Sequence, residues 1–134
     1  MIVFSEDNEF ETKGEFDVVD LTGWVEEAVS NSSVTEGVVL VYAGHSTGVL
    51  ALNELDGALL EDLKVFMREN IPAEAAYMHP GNAHAHLRSM LFTPSRAIPI
   101  HEGHLRLGTW QSLYWVEAER RPRRRKVEVI VMGE

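Results

Sequence analysis

VVLVYAGHSTGVLALNE, residues 38–54, is the stretch on which the fold turns. Residues 38–42 (VVLVY) form a continuous β-branched run, the pattern of a buried strand. A short polar turn, HSTG, follows, and residues 49–52 (VLAL) read as a second short strand. No helical pattern separates the two, so the chain does not alternate strand and helix as a parallel α/β sheet would.

The flanking segments extend this pattern. Residues 17–22 close a short strand and cap a helix over 22–30, where Trp24, Val25, Ala28 and Val29 recur at helical spacing. Downstream, Leu59, Leu60, Leu63, Phe66 and Met67 share one helical face, with Glu61, Asp62, Lys64 and Arg68 opposite. Asn70-Ile71-Pro72 stops that helix. A third helix is predicted over 82–92, with Asn82 as N-cap and Ala83, Leu87, Met90 and Leu91 as its apolar stripe. The remainder reads as strands: 96–100 and 104–107 flank the turn His101-Glu102-Gly103, 109–118 (TWQSLYWVEA) is long and aromatic with Trp110 in the core, and 126–132 alternates as a half-buried strand. Runs of strands with two or three helices predict an α+β fold with mostly antiparallel sheets, and the 134 residues predict a single domain, 1–134.

Composition narrows the function classes. With no cysteine there is neither a disulfide framework nor a thiolate metal site, so any metal must be held by His, Asp or Glu. A formal net charge of -9 argues against nucleic acid and anionic membrane as partners. The acidic first segment, MIVFSEDNEFETKGEF, has no long apolar run, no targeting pattern and no element assigned to it, so a cytoplasmic protein is expected.

YMHPGNAHAHL, residues 77–87, holds three of the six histidines. On a helix begun at Asn82, His84 and His86 face nearly opposite sides and do not share a ligand. His79 precedes a Pro-Gly turn that can fold it toward the helix start. His45-Ser46-Thr47-Gly48 leaves a buried strand, where sites are commonly built, and its hydroxyls and amides suit an anion. By spacing alone these histidines read equally as caps, hydrogen-bond donors or solvated surface.

Taken together, the segments resemble one family. HSTGVLALNE is similar to the HTTAG…NE signature of the YjbQ family, an uncharacterised protein family also known as secondary thiamine-phosphate synthase. The likeness continues through Asp20-Leu21-Thr22, Tyr77-Met78-His79, Asn82 to Leu87 (N-x-x-A-H-L), Ile98-Pro99-Ile100, Gly103, LGTWQ at 107–111 and PRRR at 122–125, close to the whole chain. Ser46 stands where the family usually has Thr, the loop from His79 to Asn82 is shorter, and Met90-Leu91-Phe92 replaces Leu-Leu-Gly.

The resemblance implies a two-layered, sandwich-like β arrangement assembled as a homotrimer. It implies a divalent-metal site, zinc the expected ion, at His45, His79 and His86, with Glu54 and Gln111 as the other invariant polar positions. Three imidazoles leave a position for water or substrate, the pattern of a catalytic zinc site. Glu54 is then a candidate general base, or else a carboxylate at a helix N-terminus; Gln111, placed mid-strand, would orient substrate or a ligand histidine. Ser46, Thr47, Asn82, Arg123 and Arg125 are the candidate substrate contacts, the two arginines alternating onto one strand face at the Gln111 end of the sheet and Arg120 left outside at the turn. The run of arginines reads alternatively as a solvated turn. The expected function is a metal-binding enzyme acting on a small phosphorylated metabolite, with weak thiamine-phosphate synthase activity. A metal-dependent hydrolase and a non-enzymatic metal- or metabolite-binding oligomer are the alternatives.

Overall fold

The computed structural model describes residues 1–134. The chain runs β1 (Ile2–Thr12), β2 (Val18–Asp20), α1 (Thr22–Ser32), β3 (Gly37–Ala43), β4 (Gly48–Asn53), α2 (Gly57–Asn70), α3 (Ala83–Met90), β5 (Ser95–His101), β6 (His104–Leu105), β7 (Ser112–Glu117) and β8 (Arg123–Gly133). A five-stranded sheet in the order β1-β8-β3-β5-β6 faces a three-stranded sheet in the order β2-β7-β4. Every pairing is antiparallel.

β7 explains the layering, because its residues Leu113 to Glu117 are buried on both faces. Leu113 and Trp115 point into the main core, where they meet Val39 and Val41 of β3, Val127, Val129 and Val131 of β8, and Val25, Ala28 and Val29 of α1. Tyr114 and Val116 point the other way and pack with Val49, Phe16 and Met67, with Leu60 and Leu63 of α2 alongside. The small sheet is therefore the middle layer of an α+β domain, with the large sheet on one side and α2 on the other. No helix is long and apolar enough to cross a membrane.

Two expectations fail here. The N-terminal segment, given no element, is an 11-residue edge strand paired along β8. Its inward positions include Phe4 and Phe10 in the core, but Glu6 and Asn8 fall between them, so the period-two signal was diluted. The aromatic strand begins later than expected: Trp110 lies in a turn and is 72% exposed rather than in the core. Gln111 is in that turn too, its Oε1 accepting from the Gly108 amide at 2.9 Å.

The outward face of the large sheet keeps an apolar strip. Val3, Met132, Val38 and Pro99 lie in one lateral row across β1, β8, β3 and β5, and Ile130, Leu40 and Ala97 lie in the next. Val3 and the two strand-edge residues Ala97 and Pro99 are exposed, and the others are half-buried.

Candidate functional site

β3 and β4 belong to different sheets, so residues 44–47 carry the chain from one layer to the other. β3 ends at Ala43, which pairs with Val127, and the backbone of Lys126 beyond it has no further β3 partner. The His45 side chain fills that place, with Nε2 2.9 Å from the Lys126 nitrogen and 3.1 Å from its carbonyl oxygen. One ring nitrogen cannot accept from the amide and donate to the carbonyl at once, so the tautomer decides which contact forms. Donation to the carbonyl leaves Nδ1 as the free basic nitrogen, the orienting pattern common for ligand histidines. Burial first, and then the Arg125 charge, depress the His45 pKa, so the ring is neutral at neutral pH.

Behind this turn lies a buried polar network. Arg125, 2% exposed, donates through Nε to Glu117 Oε1 at 2.8 Å and through Nη2 to the other carboxylate oxygen. The same Nη2 donates to the carbonyl and hydroxyl oxygens of Thr47. Thr12, the amide of Glu119 and, at 3.4 Å, the indole N–H of Trp115 complete the carboxylate's partners. Burial works to raise the Glu117 pKa, but the bonds from Arg125, Glu119 and Thr12 outweigh it and hold the carboxyl below its usual range. The Trp115 ring lies between the network and the turn, 5.2 Å from the Arg125 guanidinium carbon and 5.8 Å, edge-on, from the His45 ring.

α3 supplies the facing wall. Ser89 donates to the Gly48 carbonyl at 2.8 Å, which pins the helix beside the turn. A cavity of about 220 Å³ results, lined by His45, Ser46, His86, Ser89 and Trp115 among others. His79 stacks near His86 with ring centroids 4.9 Å apart, at a neighbouring cavity lined by Tyr77, Met78 and Met90. The three histidines thus border adjoining hollows, though no three His, Asp or Glu side chains are gathered into one metal-ligating group.

The other candidates lie elsewhere. Glu54 follows the far end of β4, so the strand's six residues put roughly 20 Å between it and the His45 turn. Gln111 precedes Ser112, which pairs with Asn53, so it sits at the Glu54 end of the small sheet. Arg125 meets Glu117, at the opposite end of β7 from Gln111, contrary to the placement read from the sequence. Arg125 and Thr47 are committed to each other, and Arg123 to Glu119 at 3.3 Å, so that of these candidates Ser46 alone brings an exposed hydroxyl to the cavity wall. Asn82 and His84 line a separate polar cavity with Arg120. Trp115 and Glu117 were missed as site residues; their only sequence signal was burial on an alternating strand, which marks core as readily as site.

A family model for UPF0047 protein YjbQ-like matches residues 6–134. The chain belongs to the YjbQ/UPF0047 family. A UPF0047 protein of Methanothermobacter thermautotrophicus is 32% identical over 136 residues, covering 99% of this chain and 94% of that protein. One from Archaeoglobus fulgidus is 39% identical over 116 residues, covering 84% of this chain and 89% of its own. Among solved structures, a protein of unknown function from Sulfolobus solfataricus superposes with a TM-score of 0.93 at 32% identity over 98% of both chains. A YjbQ/UPF0047 family protein from Clostridium acetobutylicum gives 0.89 at 34% identity over 95% of this chain and 99% of that one.

Two predictions follow from the network within this YjbQ fold. Replacing Glu117 by Gln leaves Arg125 buried without its counter-charge and should cost about 3–5 kcal/mol in urea unfolding at pH 7. Because the folded pKa of Glu117 is depressed, its contribution is complete above the unfolded value of about 4.3 and is lost as pH falls through the folded value. The gap between wild type and Glu117→Gln should therefore narrow as pH drops below about 4.3; a gap constant from pH 7 to 3 would contradict the assignment.

Gly48 supplies the second prediction. A Cβ built there would lie 1.9 Å from Trp115 Cζ2, so the β4 backbone runs directly against the indole. Gly48→Ala must displace that ring and should cost about 1–3 kcal/mol, with a change in tryptophan fluorescence. An unchanged midpoint and spectrum would show that the ring yields freely.

Proposed function

We propose that this YjbQ-family chain is an enzyme acting on a small phosphorylated metabolite, with His45, His79 and His86 holding a divalent metal, zinc the expected ion. The reading is carried by the cavity that His45, with its neutral ring, lines together with His86, Ser46 and Ser89, and by His79 beside His86. The donor set suits such an ion, since neutral imidazole is a good ligand for zinc. A bound ion would polarise a phosphate oxygen or acidify its water. Lys126 holds the His45 ring, Ser46 offers a hydrogen bond to the metabolite's phosphate, and Trp115 closes the cavity floor. Thr47 and Arg125 keep the turn in place from behind.

Metal analysis tests the ligand set. Protein loaded with one equivalent of zinc and desalted should retain it in the wild type and in His104→Ala, whose side chain is exposed on the hairpin. Retention should fall in His45→Ala, His79→Ala and His86→Ala; equal retention by all four variants removes the metal from the reading. On loaded protein, a coupled thiamine-phosphate assay checks the transfer that the family likeness implies, and a phosphate-release screen checks the hydrolase alternative. Failure of both leaves the binding protein.

The homotrimer belongs to the same proposal. β7 offers no aromatic surface for association, because Tyr114 and Trp115 are covered within the chain. The apolar strip on the outer face of the large sheet supports self-association in its place. A second copy would also be the means of bringing a Glu54 and Gln111 to a His45 turn. Light scattering should give three times the mass of the chain, and Leu40→Glu, in the middle of the strip, should shift it toward monomer. A wild-type monomer mass independent of concentration would rule this out.

A further inference from the structure

On the side of α3 away from the His86 cavity lies a polar hollow of about 470 Å³, lined by Gly81, Asn82, His84, Glu119, Arg120 and Arg121. None of the six is an apolar residue, which is unlike the two histidine cavities, where Met, Leu, Phe or Trp contribute. Two of its lining side chains are deeply buried, His84 at 1% and Glu119 at 3% exposure. Both ring nitrogens of His84 and the Oε1 of Glu119 lack any hydrogen-bond partner. Buried polar atoms are almost always paired, because leaving one unmade forfeits its hydration without return. Three such atoms beside one hollow point to a ligand that supplies the missing partners.

The chemistry of that ligand follows from the lining. α3 begins here without a side-chain cap, and the amides of Ala83 and His84 find no backbone acceptor. An open helix N-terminus favours an anion, above all a phosphate. Arg120 and Arg121 stand at the rim, held only by loose contacts: Arg120 to exposed Glu74 at 3.3 Å and Arg121 Nε to Glu119 Oε2 at 3.6 Å. A bare anion would leave the Glu119 Oε1 acceptor unmet, so the ligand must also bring a donor. The other oxygen of Glu119 is offset by Arg121 and Arg123, which tempers the repulsion between the carboxylate and a bound anion.

We propose that this hollow binds a small hydroxylated phosphomonoester, its phosphate held by Arg120, Arg121 and the first amides of α3 and its hydroxyl donated to Glu119 Oε1. His84, as a neutral imidazole, supplies one further donor and one acceptor. The site is independent of the histidine cavity and of any metal there. It also reverses the expectation for the arginine run: Arg120, set outside, faces a ligand site, whereas Arg125 is buried in the protein.

Calorimetric titration with glycerol 3-phosphate and with inorganic phosphate, in the presence of a chelator, tests the proposal. One glycerol phosphate should bind per chain, more tightly than inorganic phosphate. Arg120 and Arg121 are solvent-exposed, so Arg120→Ala and Arg121→Ala should fold normally. Each loses a charge-assisted contact and should bind glycerol phosphate about tenfold or more weakly. His104→Ala, whose exposed side chain on the β5–β6 hairpin does not line the hollow, should bind within about twofold of wild type, since sites that share no partner act independently. No binding by the wild type, affinity unmoved in both arginine variants, or binding abolished in His104→Ala would each overturn the site. Equal affinity for the two probes would overturn the hydroxyl contact and with it the ligand class.

Discussion

The buried pair of Glu117 and Arg125 is the constraint on which the rest of this molecule depends. It joins the last residue of β7, in the small sheet, to the early part of β8, in the large one. Thr12 ties the end of β1 to the same carboxylate, and Thr47 ties the turn between β3 and β4 to the same guanidinium. Four segments from both layers thus converge on one ion pair. Desolvating two charges is expensive, and hydrophobic residues of equal volume often serve stability as well. What the pair adds is direction: hydrogen bonds of fixed geometry set the register of two sheets that apolar packing alone would leave free to slide.

That register determines the candidate site. With Thr47 fastened to Arg125, the chain must cross between layers at residues 44–47, and His45 is carried to the unpaired backbone of Lys126. Trp115 lies against both the guanidinium and, edge-on, the imidazole, and it sits close enough to β4 that only glycine fits at position 48 without displacing the ring. The polar network, the indole and the histidine turn therefore form a stack from the core to the cavity.

α3 is the second organising element, and it works on two sides. Through Ser89 and His86 it walls the histidine cavity. Through His84 and Arg88, one turn apart, it faces a buried polar region, where Arg88 reaches Glu15 at 2.8 Å and the Ile71 carbonyl at 3.1 Å. A helix of eight residues with so many polar inward contacts has little apolar face of its own. Its position is set by these polar contacts and by its seat on β4.

The sequence by itself determined the elements that have a strong local period. VVLVY, VLAL and the helical face from Leu59 to Met67 appear as strand, strand and helix because periodicity records which side of a segment is apolar. The α+β class and the family followed from the same residues and their order. Local pattern does not record which neighbour covers an apolar face, and so β1, whose inward row is interrupted by Glu6 and Asn8, became legible only through its pairing with β8. For the same reason the tertiary structure alone decided that β3 and β4 lie in different sheets, that Glu54 and Gln111 stand at the far end of the small sheet from His45, and that Arg125 points inward while Arg120 stays at a rim. A charged residue looks the same in sequence whether its partner is water or a buried carboxylate on another sheet; the register of two layers makes the choice.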